Sequence, residues 1–186
     1  MKKRIKIFGL PRSGTNLLEH LLPLNFWSEF CLKREFNDYL GWKHARPKDL
    51  SVYNEIEKIT WEELFFIFSI RDKEEWIETI KQKHWGSFEM LWEFKDCSQF
   101  VFNTPHGPEI YKDLEEYYDR QVESYFNFSQ KNEKNSLIVN YNDFKQDQTK
   151  VLERIEQKFQ LERCRPNWTI INKKINWSGQ IINELA

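Results

Sequence analysis

The residues whose types and spacing could do chemistry stand at the start of the chain. Gly9-Leu10-Pro11-Arg12-Ser13-Gly14-Thr15-Asn16 places two hydroxyls, a carboxamide and a permanent cation within one short turn. That donor set suits an oxyanion, since Arg12 can fork onto two oxygens while Ser13, Thr15 and Asn16 donate from the side. The turn joins Arg4-Ile5-Lys6-Ile7-Phe8, which alternates as a strand does, to Leu17-Leu18-Glu19-His20-Leu21-Leu22, whose leucines four apart make one apolar helical face. A strand-turn-helix junction aims backbone N–H groups and the positive end of a helix dipole at one spot, a natural seat for an anion.

The turn approaches a Walker A sequence and departs from it at two positions. Gly9 and Gly14 have the required separation, but Thr15 stands where the lysine belongs and Asn16 where the magnesium-binding hydroxyl belongs. This pattern argues against a metal-assisted nucleoside triphosphatase and assigns no metal ligand. It suits a ligand whose transferable group needs no Mg²⁺ to neutralise it.

Pro11-Arg12-Ser13-Gly14-Thr15-Asn16 resembles the 5′-phosphosulfate loop of the P-loop sulfotransferases, which use 3′-phosphoadenosine 5′-phosphosulfate (PAPS) and release the bisphosphate PAP. Leu64-Phe65-Phe66-Ile67-Phe68-Ser69-Ile70-Arg71-Asp72, followed by a helical stretch, resembles that family's 3′-phosphate-binding strand and helix. The resemblance assigns the 3′-phosphate clamp to Arg71 and Thr79, the latter replacing a serine and keeping its hydroxyl. Gly41-Trp42-Lys43-His44-Ala45-Arg46-Pro47 lies where the family carries its catalytic histidine, which makes His44 the implied general base. An imidazole titrates near neutral pH and can take a proton from an attacking hydroxyl. The other histidines are weaker candidates: His20 lies among leucines, His84 on the helix after the clamp, and His106 in a Pro-His-Gly-Pro turn.

Ser136-Leu137-Ile138-Val139-Asn140-Tyr141-Asn142-Asp143-Phe144 resembles the family's late strand, which puts Tyr141 near the adenine. Asn172-Lys173-Lys174-Ile175-Asn176-Trp177-Ser178-Gly179 resembles a cofactor-closing segment more loosely. Lys173 or Lys174 would then meet the 3′-phosphate and Trp177 would cover the base, with a solvated basic tail as the other reading. Without this last segment the matches span about residues 5 to 161. They imply direct, metal-independent transfer of a sulfuryl group to a hydroxyl or amine of a small-molecule or glycan acceptor. In that mechanism Arg12, Lys43 and the loop amides stabilise charge on the leaving phosphate.

Composition agrees with one compact domain over residues 1–186. Lysine plus arginine total 28 against 29 acidic residues, a net charge of −1, so global charge gives no support for a nucleic-acid partner. Cys31, Cys97 and Cys164 are widely spaced and odd in number, without disulfide or metal spacing, and a reducing, cytoplasmic compartment is the simplest expectation. Lys6 and Gly9 interrupt the basic, apolar start, so no signal peptide is expected. The apolar run Leu64 to Phe68 is too short to span a bilayer.

The elements that must position these residues follow from periodicity. Strands are predicted over 4–8, 40–43, 64–70 and 137–141, and helices over 14–22, 73–85, 112–130 and 147–160. Strands alternating with helices predict an α/β fold: a parallel sheet flanked by helices, which the resemblance extends to a P-loop NTPase-like three-layer sandwich. The loop, Lys43-His44 and Arg71 would then gather at the carboxyl ends of the strands. Residues 86–108 are irregular and aromatic and read as a candidate acceptor lid, and 165–186 as a tail covering the cofactor. Two other classes stay open: a P-loop small-molecule kinase, and a non-catalytic relative that binds a nucleotide or glycan.

Overall fold

The computed structural model describes residues 2–30, 40–82, 100–104, 107–172, 174–175 and 181–182. Its central feature is a parallel sheet whose long strands are β1 (Lys2–Gly9), β3 (Glu62–Ile70) and β6 (Ser136–Asn140), with the two-residue β2 (Glu29–Phe30) on the outer side of β1. The order across the sheet is β2-β1-β3-β6. Gly9 pairs with Ser69 in the last rung of the β1–β3 ladder, so the end of the first strand and the end of the third open at the same level.

Apolar residues on both faces of β1 and β3 require cover from both sides. On one face Ile5, Ile7, Phe65, Ile67 and Val139 pack against helices α1 (Thr15–Asn25), α5 (Tyr141–Gln146) and α6 (Gln148–Phe159). On the other, Phe8, Leu64, Phe66 and Phe68 pack against Tyr53 of α2 (Leu50–Thr60) and Tyr125 and Phe128 of α4 (Leu114–Lys131). Each fully buried side chain of this size contributes about 1.5–3 kcal/mol through lost water contact. A third cluster joins Leu10 to Trp76 of α3 (Lys73–Gln82), and to Tyr111, Tyr117 and Tyr118. The predicted parallel sheet flanked by helices is therefore present.

Local chemistry sets the helix starts that matter to the site. Asn140 caps α5 by accepting from the Asn142 N–H at 2.8 Å, which ends β6 and starts a helix in consecutive residues. Tyr141 is consequently the first residue of α5 and not a strand end as predicted. Asp113 caps α4 and Asp147 caps α6 in the same way.

Other departures have physical reasons. The strand predicted over 40–43 is a loop: Gly41 has φ 101°, and the Tyr53 hydroxyl donates to the Leu40 carbonyl while accepting from the Lys48 N–H. Helix α2 was not predicted, although Leu50, Tyr53 and Ile56 lie on one face of it. Within the expected lid, β4 (Phe100–Thr104) and β5 (Gly107–Tyr111) pair antiparallel, and 86–99 with His106 lie outside the described residues. His84, Lys173 and Trp177 lie outside them too, while Lys174 opens the short β7 (Lys174–Ile175), paired with β8 (Ile181–Ile182). No helix among the described residues is long and apolar enough to cross a membrane.

Candidate functional site

The turn after β1 is closed by its own Ser13 and held from outside at three further carbonyls. Leu10 O accepts from the Ser13 N–H at 3.1 Å and from Ser13 Oγ at 2.6 Å. Pro11 O accepts from the Trp76 indole at 2.7 Å, Arg12 O from Arg71 Nη1 at 3.4 Å, and Ser13 O from Ser69 Oγ. Carbonyls and the following N–H point in opposite directions across a trans peptide. The N–H groups of Arg12 and Gly14 are therefore turned away from β3 and α3, toward the mouth of the turn. Arg12 at φ 64° and Gly14 at φ 89° both adopt left-handed backbone, while the Ser13 N–H between them closes the turn on Leu10 O. A left-handed non-glycine residue carries strain on the order of 1 kcal/mol or more, which the surrounding contacts must hold.

Glycine is required at two places here. A Cβ on Gly9 would stand 2.5 Å from Ser69 O, and one on Gly14 would stand 2.4 Å from the Tyr141 ring. Tyr141 thus lies directly on the turn. Partial burial holds the Arg12 guanidinium below its ordinary pKa, because desolvation disfavours the charged form and a bound anion would offset it.

The 40–48 loop returns to the same spot. Gly9 N–H donates to Lys43 O at 2.8 Å, and His44 Nδ1 lies 2.7 Å from Gly9 O. A carbonyl only accepts, so Nδ1 carries the hydrogen and the lone pair of the neutral ring sits on Nε2. The ring is 7% exposed and meets the Trp42 ring edge-on at 5.2 Å. Lys43 Nζ donates to Asn16 Oδ1 at 2.6 Å and to Glu19 Oε2 at 2.7 Å, a buried ion pair set on the first turns of α1. An ammonium from a remote segment thereby reaches the helix start where a Walker loop would carry its own lysine.

On the other side of the turn, Arg71 leaves β3 and pairs through Nη2 with Glu75 on the first turn of α3. Its guanidinium also lies over the Tyr141 ring, 5.1 Å from the centroid. Lys145 approaches Glu75 at 3.5 Å and the Tyr141 ring at 5.7 Å. The Glu75 carboxyl is pulled down to about 2, first by the Arg71 hydrogen bond, then by Asn142, and further by the charges of Arg71 and Lys145. Asp72 receives Asn140 Nδ2 at 2.9 Å and Asn142 Nδ2 at 2.8 Å, tying the end of β3 to the start of α5.

Pro11, Arg12, Ser13, Gly14, Thr15, Asn16, Lys43, His44, Arg71 and Tyr141 are thus connected by direct contacts around the ends of β1 and β3. Ser13 and Thr15 are buried, and Ser13 spends its hydroxyl on Leu10 O. Thr79 stands one turn beyond Glu75 on α3, half-buried. Three participants were not anticipated: Glu19, Glu75 and Lys145. Glu75 has a local signal, its i,i+4 spacing from Arg71, whereas Glu19 is recognisable only once Lys43 is seen beside it.

Such a site can hold a phosphate-like group on the turn, a flat ring or second anion at Tyr141 and Arg71, and a proton at His44. No family model matches the chain, and comparison with curated proteins and with solved structures returns no match either.

Proposed function

We propose that the chain is a PAPS-dependent sulfotransferase with a P-loop NTPase-like fold. The observation that carries this reading is the engagement of the Pro11 and Ser13 carbonyls by Trp76 and Ser69, which turns the Arg12 and Gly14 N–H groups away from β3 and α3 in a turn that His44 and Lys43 also contact. Bound there, the donor supplies an activated sulfuryl group. The loop N–H groups and Arg12 hold its 5′ end, Arg71 with Thr79 faces its 3′-phosphate, and Tyr141 lies against its base.

His44 keeps its Nδ1 hydrogen on Gly9 O and takes the acceptor proton at Nε2. The acceptor oxygen or nitrogen then forms its bond to sulfur as the bond between sulfur and the phosphate oxygen breaks, and PAP leaves. Arg12 and Lys43 offset the charge that grows on that oxygen. The acceptor is a small molecule or glycan.

Calorimetric titration with PAP in EDTA, against ATP and 5′-AMP, tests the proposal. The expected result is micromolar, metal-free binding that needs the 3′-phosphate and is lost in Arg71→Ala. Preference for ATP with Mg²⁺ would replace this reading with a small-molecule kinase. PAP binding with no transfer to any hydroxyl or amine acceptor would leave a non-catalytic nucleotide-binding relative.

A further inference from the structure

Arg71, Lys145 and Glu75 make a charge arrangement that the sequence motifs do not contain. Two cations from different elements, the end of β3 and helix α5, converge on one carboxylate of α3. Both cations also touch the same ring, with Arg71 5.1 Å and Lys145 5.7 Å from the Tyr141 centroid. Arg71 uses Nη2 on Glu75 and Nη1 on the Arg12 carbonyl, and its Nε is buried with no acceptor. A part-buried guanidinium whose Nε has no acceptor has remaining capacity for an oxyanion.

Carboxylate and phosphate oxygens accept from guanidinium and ammonium groups in the same geometry, but the phosphate carries more charge and more acceptors. We propose that Glu75 occupies the place of a nucleotide's 3′-phosphate in the resting protein, and that Lys145 joins Arg71 in receiving that phosphate when Glu75 yields. This rests on the nucleotide reading above and adds two residues to it. Glu75 becomes a specificity-determining residue, because a ligand without a 3′-phosphate has nothing with which to displace it. Its side chain is 33% exposed and Lys145 is 51% exposed, so the carboxylate can turn into water without opening the core.

The test compares PAP with 5′-AMP, which differ only in the 3′-phosphate, on wild type, Glu75→Gln, Lys145→Ala and Arg71→Ala, with thermal unfolding to confirm that each is folded. Removing the competing charge should tighten PAP about tenfold in Glu75→Gln and leave 5′-AMP within about twofold. Lys145→Ala should weaken PAP about fivefold and again spare 5′-AMP. PAP affinity that is Arg71-dependent but unmoved by either variant overturns the inference and leaves the nucleotide reading standing. Parallel changes in PAP and 5′-AMP also overturn it, since they mark a merely structural role. Absence of Arg71-dependent PAP binding in both wild type and Glu75→Gln removes the nucleotide reading and this inference with it. Binding that appears only in Glu75→Gln supports the inference in its strongest form.

Discussion

Two cation–carboxylate pairs flank the turn after β1, and they are built differently. Lys43 and Glu19 are 9% and 5% exposed and are tied further to Asn16, whereas Arg71 and Glu75 are 12% and 33% exposed and share their charge with Lys145. Removing either member of the first pair strands a charge in the interior, where the penalty is large. Removing Glu75 strands nothing, because Arg71 keeps Tyr141, the Arg12 carbonyl and access to solvent. The difference teaches that similar ion pairs serve opposite ends: one fixes the helix start, and the other is solvated enough to part, as the proposal for Glu75 requires.

The comparison can be broken most severely at Lys43. Lys43→Met leaves Glu19 buried without its cation and should lower stability by about 3–5 kcal/mol in urea unfolding, with most of it regained in Lys43→Met/Glu19→Leu. A loss below about 1 kcal/mol would place this pair in the same class as the exposed one.

Between the two pairs stands Gly14, against whose Cα the Tyr141 ring is packed. Gly14→Ala must hold an L side chain at φ 89° and push the ring away, so a loss of about 1–3 kcal/mol is expected by thermal unfolding. Tyr141→Ala in the same background should return only the steric part, and full recovery would show that backbone strain contributes little.

The smallest expected effect sharpens the other half of the contrast. Glu75→Gln should change stability by less than about 1 kcal/mol at neutral pH, since the pair is partly solvated. The sign of its pH dependence follows from the depressed carboxyl. Glu75 ionises at about 2 in the folded chain against 4.5 ordinarily, so its contribution is complete above 4.5 and fades as pH falls toward 2. Chemical denaturation should give a difference between wild type and Glu75→Gln that is flat through neutral pH and closes in acid.

What the sequence made legible was what depends on neighbours. The turn, its glycines and the strand before it are local, and β3 is a continuous apolar run, so both were readable. The 40–43 segment does not read as a loop from its own residues because Tyr53, on a later helix, holds Leu40 O and Lys48 N–H, and Gly41 turns at φ 101°. Tyr141 was read as a strand end because the cap that starts α5 is the side chain of Asn140, a residue equally at home in a turn. Lys43, predicted beside the reacting centre, does reach the start of α1, but its buried carboxylate partner comes from a residue that read only as part of an apolar helix.

The contacts that shape the turn have a consequence for the order in which the chain becomes competent. Residues 9–16 are synthesised ahead of the residues that hold them: Ser69 and Trp76, which grip the turn's carbonyls, lie 56 and 65 positions from their partners. The seat under Gly14 is completed only by Tyr141, near the far end of the fold. Long-range closures of this kind are paid in chain entropy before they are rewarded, so the turn is made early and finished late. A nascent chain stalled before β6 would carry the turn and its Ser69 and Trp76 holds, and lack the Tyr141 ring beneath Gly14.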